Sequence, residues 1–228
     1  MILLDRYEEN GFIFSISSKK AILAGVKDDG TRLAGKDIEI PFKVKGVPVT
    51  KIGSRAFCGL KIRSVLIPNS INMINTAAFK DCDELIEVNH YYTDSKYSSQ
   101  WLIISDYAFK NCRRLEDVNF EREISYLGTE AFASCCSLSR ISANFKKIRR
   151  YAFYNCAFLK HIILSDGAYL YGESIQKSGI SLINVWGEMQ TTKAEREYII
   201  KKGVELCCVP TSNIVDLAYS GANVTFLI

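Results

Sequence analysis

A chain of 228 residues, 48% of them hydrophobic, has material for a continuous core and is too apolar to be disordered. Its 29 basic and 25 acidic residues give a formal charge of +4, an even mixture that lacks the one-sided footprint of a nucleic-acid or membrane-surface binder. No run approaches eighteen apolar residues, so no membrane insertion is expected.

At the start, "MILLDRYEENGF" is too short in apolar residues to form a signal-peptide core. The expectation is therefore a cytoplasmic protein if the chain is complete, and a cell-surface or secreted one if an upstream signal was removed. Residues 11–26, "GFIFSISSKKAILAGV", read as two strands around a Ser-Ser-Lys-Lys turn. Residues 1–50 are expected to form an N-terminal cap with entry strands. Within them, "GTRLAGKD" matches a phosphate-binding loop through Lys36 and then fails. Asp37 stands where a Ser or Thr hydroxyl should reach magnesium, and Ile38, Ile40 and Pro41 continue as strand where a helix N-terminus is needed. The reading is a plain glycine-bearing loop.

A repeat dominates residues 51–186. Phe57, Phe79, Phe109, Phe132 and Phe153 form one column, separated by 22, 30, 23 and 21 residues. Five residues earlier stand Ile52, Ile74, Ile104, Leu127 and Ile148. Three after the last four Phe come Cys82, Cys112, Cys135 and Cys156; six after, Leu85, Leu115, Leu138 and Leu159; nine after, Val88, Val118, Ile141 and Ile162. A period near 22 is the mark of a solenoid, because a coil this short buries its apolar face only by stacking on its neighbours. The first copy is one residue shorter, with Ile62, Val65 and Ile67, and the same short form returns as Ile180, Ile183 and Val185 after Ile175, which makes a sixth coil. The segment from Leu115 through Val118 to Phe120 ends in the period-two alternation of a strand. The expected fold class is an α/β repeat solenoid, with short parallel strands, short helical or 3₁₀ turns at each "AFxxCxxL", and capping elements at both ends.

The 30-residue interval before Phe109 holds an insertion near residues 89–100, "NHYYTDSKYSSQW". Tyr91, Tyr92 and Tyr97 sit there among polar residues, either as recognition aromatics or folded back over the neighbouring coils. Trp101, eight before Phe109, is expected in the core with Ile71, Ile124 and Phe145. Beyond the array, residues 187–228 are expected to form a C-terminal helix and strand cap. Thr192 and Glu195 make a capping box, Gly203 a stop, and a helix over about 193–202 would lay Ala194, Tyr198 and Ile199 on the last coil.

Chemistry is sparse. Four sulfurs stepping about 4.8 Å per coil span roughly 14 Å and cannot share one metal. Ladder side chains point in parallel and suit a disulfide poorly, so the column reads as buried free thiols. His90 and His161 are 71 residues apart with no nucleophile motif beside either. "KKIRR", Lys146 to Arg150, flanks the core residue Ile148 and reads as a solvated turn. No cofactor and no catalytic residue is expected.

The "AF..C..L..I" phrase, the Ile52-Gly53 and Leu127-Gly128 pairs and Ile67-Pro68 resemble BspA-type leucine-rich repeats, found in bacterial and protozoan surface proteins. The resemblance is strong over about residues 38–185. "IEIPFKVKGVPVTKIGSRAF" looks like the usual entry into such an array, and "VPTSNIVDLAY", Val209 to Tyr219, like its usual close. It implies a scaffold that binds a macromolecule, another protein first, with a glycan- or matrix-binding adhesin-like module as the alternative; a nucleotide-binding enzyme, the third reading, would need the phosphate-loop match at Gly30 to Lys36 to be real. Candidate contacts are Tyr91, Tyr92 and Tyr97 with the strand-face residues Glu87, Asn89, Asp117, Asn119, Arg140, Ser142 and His161, acidic in the earlier coils and basic in the later.

Overall fold

The computed structural model describes residues 5–27, 32–208 and 223–226. In chain order its elements are β1 (Asp5–Glu9), β2 (Phe12–Ile16), β3 (Ala21–Val26), β4 (Asp37–Glu39), β5 (Lys43–Val44), β6 (Val47–Ile52), β7 (Ser64–Pro68), β8 (Met73–Ile74) and β9 (Glu87–Tyr91). There follow β10 (Trp101–Ile104), β11 (Asp117–Leu127), β12 (Arg140–Ile148), β13 (His161–Leu170), β14 (Leu182–Val185), β15 (Met189–Gln190), α1 (Lys193–Lys202), β16 (Glu205–Cys208) and β17 (Asn223–Phe226).

Each coil contributes two strand segments and one turn segment, so the core has three stitched sides. The first ladder runs in parallel from β4 through β7, β9 and the first half of β11 to Arg140–Ser142 of β12; β13 joins β12 at Asn144 and Phe145 and leads on through β14 and β16 to β17. The second runs from β3 through β6, β8 and β10 into the second halves of β11, β12 and β13, and ends on β15. In β11 the two halves meet at a register shift between Asn119 and Glu123, where Glu121 adopts a positive φ and turns the corner.

The third side departs from the expected helical turns. Each "AFxxCxxL" segment is a chain of β-turns, and helix among the described residues is confined to α1 and to 3₁₀ turns at Ser95–Tyr97 and Gly172–Ile175. The cause is two left-handed residues per coil, two before and two after each Phe. Arg55, Ala77, Tyr107, Glu130 and Tyr151 form one column at φ 53 to 60°; Gly59, Asp81, Asn111, Ser134 and Asn155 form the other at 60 to 75°. A residue in this region cannot propagate a right-handed helix. Alternate amides then face different ways. Ala56, Cys58 and Leu60 donate to carbonyls three residues back, whereas Arg55, Phe57 and Gly59 donate to Thr76, Ala78 and Lys80 of the next coil. The pattern repeats down to Phe153 N–H on Ser174 and Asn155 N–H on Gln176, so the sixth coil accepts the same bonds, although a 3₁₀ turn at Gly172–Ile175 replaces its first left-handed residue and Lys177 keeps the second.

Inside, the five Phe rings stack nearly parallel, with centroid separations of 4.9, 5.1, 5.0 and 5.9 Å. Parallel rings touch at about 3.5 Å, so 5 Å between centroids means a slipped stack, which the ring quadrupole favours. Phe12 from β2 closes the column edge-on against Phe57 at 6.5 Å. The repeat's aliphatic and cysteine columns are buried throughout, together with Leu170, Ile175, Ile180, Ile183 and Val185 of the sixth coil. Gly128 is glycine because the preceding coil comes too close: a Cβ there would lie 2.4 Å from the Asp106 nitrogen.

At the front, β2 pairs antiparallel with both β1 and β3, and β3 joins β6 in parallel. At the back, α1 starts at Thr192 with a reciprocal capping box to Glu195 and stops at Gly203 in the left-handed region. Ile199 is fully buried and Tyr198 partly so, but Ala194 is exposed. Glu195 is buried beside it because its carboxylate accepts the Thr192 N–H at 2.7 Å.

Candidate interaction surface

On the first ladder Val65, Val88, Val118 and Ile141 point inward, which leaves every second residue outward. The register brings Asp37, Ser64, Glu87, Asp117 and Arg140 side by side in one row, and Glu39, Leu66, Asn89, Asn119 and Ser142 in the next. His161 and Ile163 do not continue these rows as the spacing predicts: Ile163 lies opposite Asn144 rather than Ser142, and His161 faces Leu182. The strand after "KKIRR" rounds its corner at Asp166 and Gly167, whose positive φ absorbs the shift. His161 Nε2 is buried without a hydrogen-bond partner.

The expected charge polarity is partly cancelled within the face itself. The Arg140 guanidinium lies on the Asp117 carboxylate, with Nε at 3.1 Å from both oxygens. At the other end Ser64 Oγ donates to Asp37 at 2.7 Å and Arg63 pairs with the same carboxylate; the Ser64 bond first and Arg63 second hold its pKa below the ordinary range. Glu39 and Glu87 are exposed and have no ion pair among the described residues. They border a shallow groove of about 340 Å³ with Leu66 and Asn89. Asp37 and Glu39 belong to this face although the repeat count begins after them. Their signal was available: Ile38, Ile40 and Pro41 repeat the spacing of Val65, Ile67 and Pro68.

The insertion is pinned rather than loose. Asn69, buried at the end of the first ladder's second strand, accepts from Thr93 N–H at 2.9 Å and Thr93 Oγ1 at 2.7 Å and donates to Ser98 Oγ at 3.0 Å. Arg122 donates to the carbonyls of Asn69 and Ser99, and burial draws its pKa down to about 10. Neither residue carries a periodic signal, which is why sequence reasoning missed both.

The three tyrosines separate. Tyr91 closes β9, half-buried, with its hydroxyl donating to the Ile40 carbonyl at 2.8 Å; burial first and Glu39 second push its pKa up to about 12. Tyr92 is 71% exposed, its ring edge-on to His90 at 4.8 Å and its hydroxyl on Glu121 at 3.2 Å. Tyr97 lies under two ammonium groups, Lys43 at 4.6 Å and Lys96 at 4.7 Å. Trp101 is not in the core: it is 46% exposed, and Leu102, paired with Ile124, fills the core place instead. The third coil is one residue shorter between that place and its Phe, with the register shift falling between Leu102 and Ile103. The exposed indole borders a second, polar groove of about 500 Å³ between the insertion and β6.

Seven described cysteines are free, and the column thiols donate in sequence to the Phe carbonyl one coil back. Among the described residues no group of three or more His, Cys, Asp or Glu converges on a point that could hold a metal. No helix among them is long and apolar enough to cross a membrane. Gly30 and Thr31 of the glycine-bearing loop, and Val209 to Tyr219, lie outside the described residues. Asp37 opens β4, a strand in the position where a phosphate loop requires a helix.

A comparison with curated proteins gave no match. Among solved structures the chain is similar to a leucine-rich repeat protein of T. pallidum, at 19% identity over 81% of this chain and 86% of that one, with a TM-score of 0.57. It is also similar to one from Bacteroides capillosus, at 22% identity over 60% of this chain and 97% of that one, TM-score 0.50. A third, from Eubacterium ventriosum, aligns at 20% identity over 77% of this chain and 50% of that one, TM-score 0.51. These likenesses establish the leucine-rich-repeat solenoid. The model of the BspA type leucine rich repeat region matches residues 36–100 and 89–195 with six copies, and the chain belongs to that family.

Proposed function

We propose that this solenoid is a non-catalytic interaction module that binds another protein along the first-ladder face. In this reading residues 1–50 and 187–228 cap an array over 51–186, and Glu87, Asn89, Asp117, Asn119, Arg140 and Ser142 form the contact row. The observation that carries it is Tyr92. A 71% exposed ring, held in place by His90 and Glu121 at the end of that same face, is a pre-ordered aromatic anchor. Tyr97 extends the aromatic edge, and Tyr91 supports it from below through Ile40. The unpaired Glu39 and Glu87 favour a partner with a basic patch, steering encounter more than setting affinity.

The test compares affinity capture by wild type, Tyr92→Ala and Glu87→Lys in parallel. Both variants should lose the same partner and melt like wild type, and partner association should weaken as salt rises. Capture retained by both variants would place the contact on another surface.

A further inference from the structure

The polar groove beside the insertion is a separate site, sharing only Tyr97 with the surface just described. Trp101 and Tyr97 supply its aromatic walls, and Asn72, Gln100 and Thr50 its polar lining. The side-chain amides of Asn72 and Gln100 make no hydrogen bond among the described residues, and Thr50 Oγ1 is buried without a partner. Lys96 is the ionic residue of the lining, which holds no carboxylate. A second cation, Lys43, stands over the same Tyr97 ring, and the Lys96 ammonium is shared between that ring at 4.7 Å and Asp94 at 3.8 Å.

This combination selects a ligand class. An apolar peptide helix would need a row of hydrophobic pockets, and the groove offers one exposed indole and one phenol amid hydroxyls and amides. An extended peptide would need a free strand edge, and among the described residues the strands that line the groove are paired on both sides. β6 is paired to β3 and β8, β8 to β6 and β10, and β10 to β8 and β11. A pyranose ring meets the requirements: its C–H face carries partial positive charge toward the electron-rich face of an indole, and its hydroxyls can satisfy amide and hydroxyl groups at once. Two ammonium groups with one distant carboxylate between them, Asp94 at 3.8 Å from Lys96, add a preference for negative charge.

We propose that this groove binds a carboxylate-bearing saccharide, with a sugar ring on Trp101, hydroxyls on Asn72 and Gln100, and the carboxylate toward Lys96 and Lys43. The chain has two tryptophans, so Trp186→Phe leaves Trp101 as the reporter. Its fluorescence is titrated with trigalacturonate and sialyllactose, against galactotriose and lactose as neutral counterparts and hexaglutamate as an acidic peptide. One acidic saccharide should give saturable quenching, at least fivefold tighter than its neutral counterpart. Calorimetry with that saccharide should show at least tenfold loss in Trp101→Ala at an unchanged melting temperature, and loss of the acid preference in Lys43→Gln with Lys96→Gln. The variants Tyr92→Ala and Glu87→Lys should bind it normally, which separates this site from the protein-binding face. Binding of none of the saccharides, equal binding of acidic and neutral ones, equal binding of hexaglutamate, or binding that survives Trp101→Ala would each overturn the proposal.

Discussion

The Cys112 thiol donates to the Phe79 carbonyl at 3.1 Å, and that same carbonyl accepts the Cys82 N–H of its own coil at 3.2 Å. Each column sulfur therefore links one coil to the one before; burial raises the pKa of Cys112, Cys135 and Cys156 above the ordinary thiol value, and a hydrogen bond with Cys112, then burial, raises that of Cys82. A buried thiol held protonated is a poor nucleophile. Iodoacetamide on the native protein should label Cys58, Cys136 and Cys207, which are half-buried, and leave Cys82, Cys112, Cys135 and Cys156 unmodified until denaturant is added. Peptide mapping reads this directly, and prompt native labelling of Cys112 would contradict the packing described.

Phe109 stacks between Phe79 and Phe132, so deleting its ring opens a cavity in the middle of the column. Phe109→Ala should cost about 3–5 kcal/mol, against about 1 kcal/mol or less for Lys110→Ala, whose ammonium pairs with Glu130 near the surface. Chemical denaturation of the two variants measures the difference. Equal midpoints would show that the rings are not the principal support.

Asp117 and Arg140 pair across adjacent strands at the surface, where solvent screens them. Exchanging the two, as Asp117→Arg with Arg140→Asp, should restore the pair and leave the melting temperature close to wild type. Either single reversal sets like charges side by side and should lower it slightly, by far less than Phe109→Ala. If the first-ladder face binds the partner, the exchanged protein should show altered salt dependence of association while its stability is unchanged.

Tyr91 has a folded pKa of about 12, raised above its ordinary value near 10 because its hydroxyl is buried on Ile40 and faces Glu39. Stability from this group is therefore complete below pH 10 and is lost as pH climbs toward 12. Tyr91→Phe should cost about 1 kcal/mol at neutral pH, for the missing hydrogen bond, and should make the alkaline decline shallower. Denaturant titrations at pH 8, 10 and 11.5 on both proteins supply the comparison.

The repeat was legible because each coil must spend the same residues on the same interior places, so Phe, Cys, Leu and Ile recur at fixed distances. The backbone between them was not. Arg55, Ala77, Tyr107, Glu130 and Tyr151 share a left-handed conformation with no shared chemistry, so the turn chain looked like a short helix. Trp101 misled for a related reason: a one-residue contraction moves the core place to Leu102, and counting back from Phe109 cannot detect it. On the candidate surface, Glu87, Asp117 and Arg140 were readable from alternation, but the strand register that sets Ile163 opposite Asn144, with compensation at Gly167, is not written in the spacing. Asn69 and Arg122 act through contacts 23 to 53 residues away in sequence, which no local pattern encodes.

The turn-chain amides that reach the following coil have a mechanical meaning. These bonds, like those of both strand ladders, point along the stacking direction, so a pull applied to the two ends loads them along their own length. Bonds loaded that way break one after another instead of resisting together. Under tension the molecule should come apart as a ribbon peeled from one end, each release giving up one turn of the solenoid, about 22 residues or roughly 75 Å of extended chain.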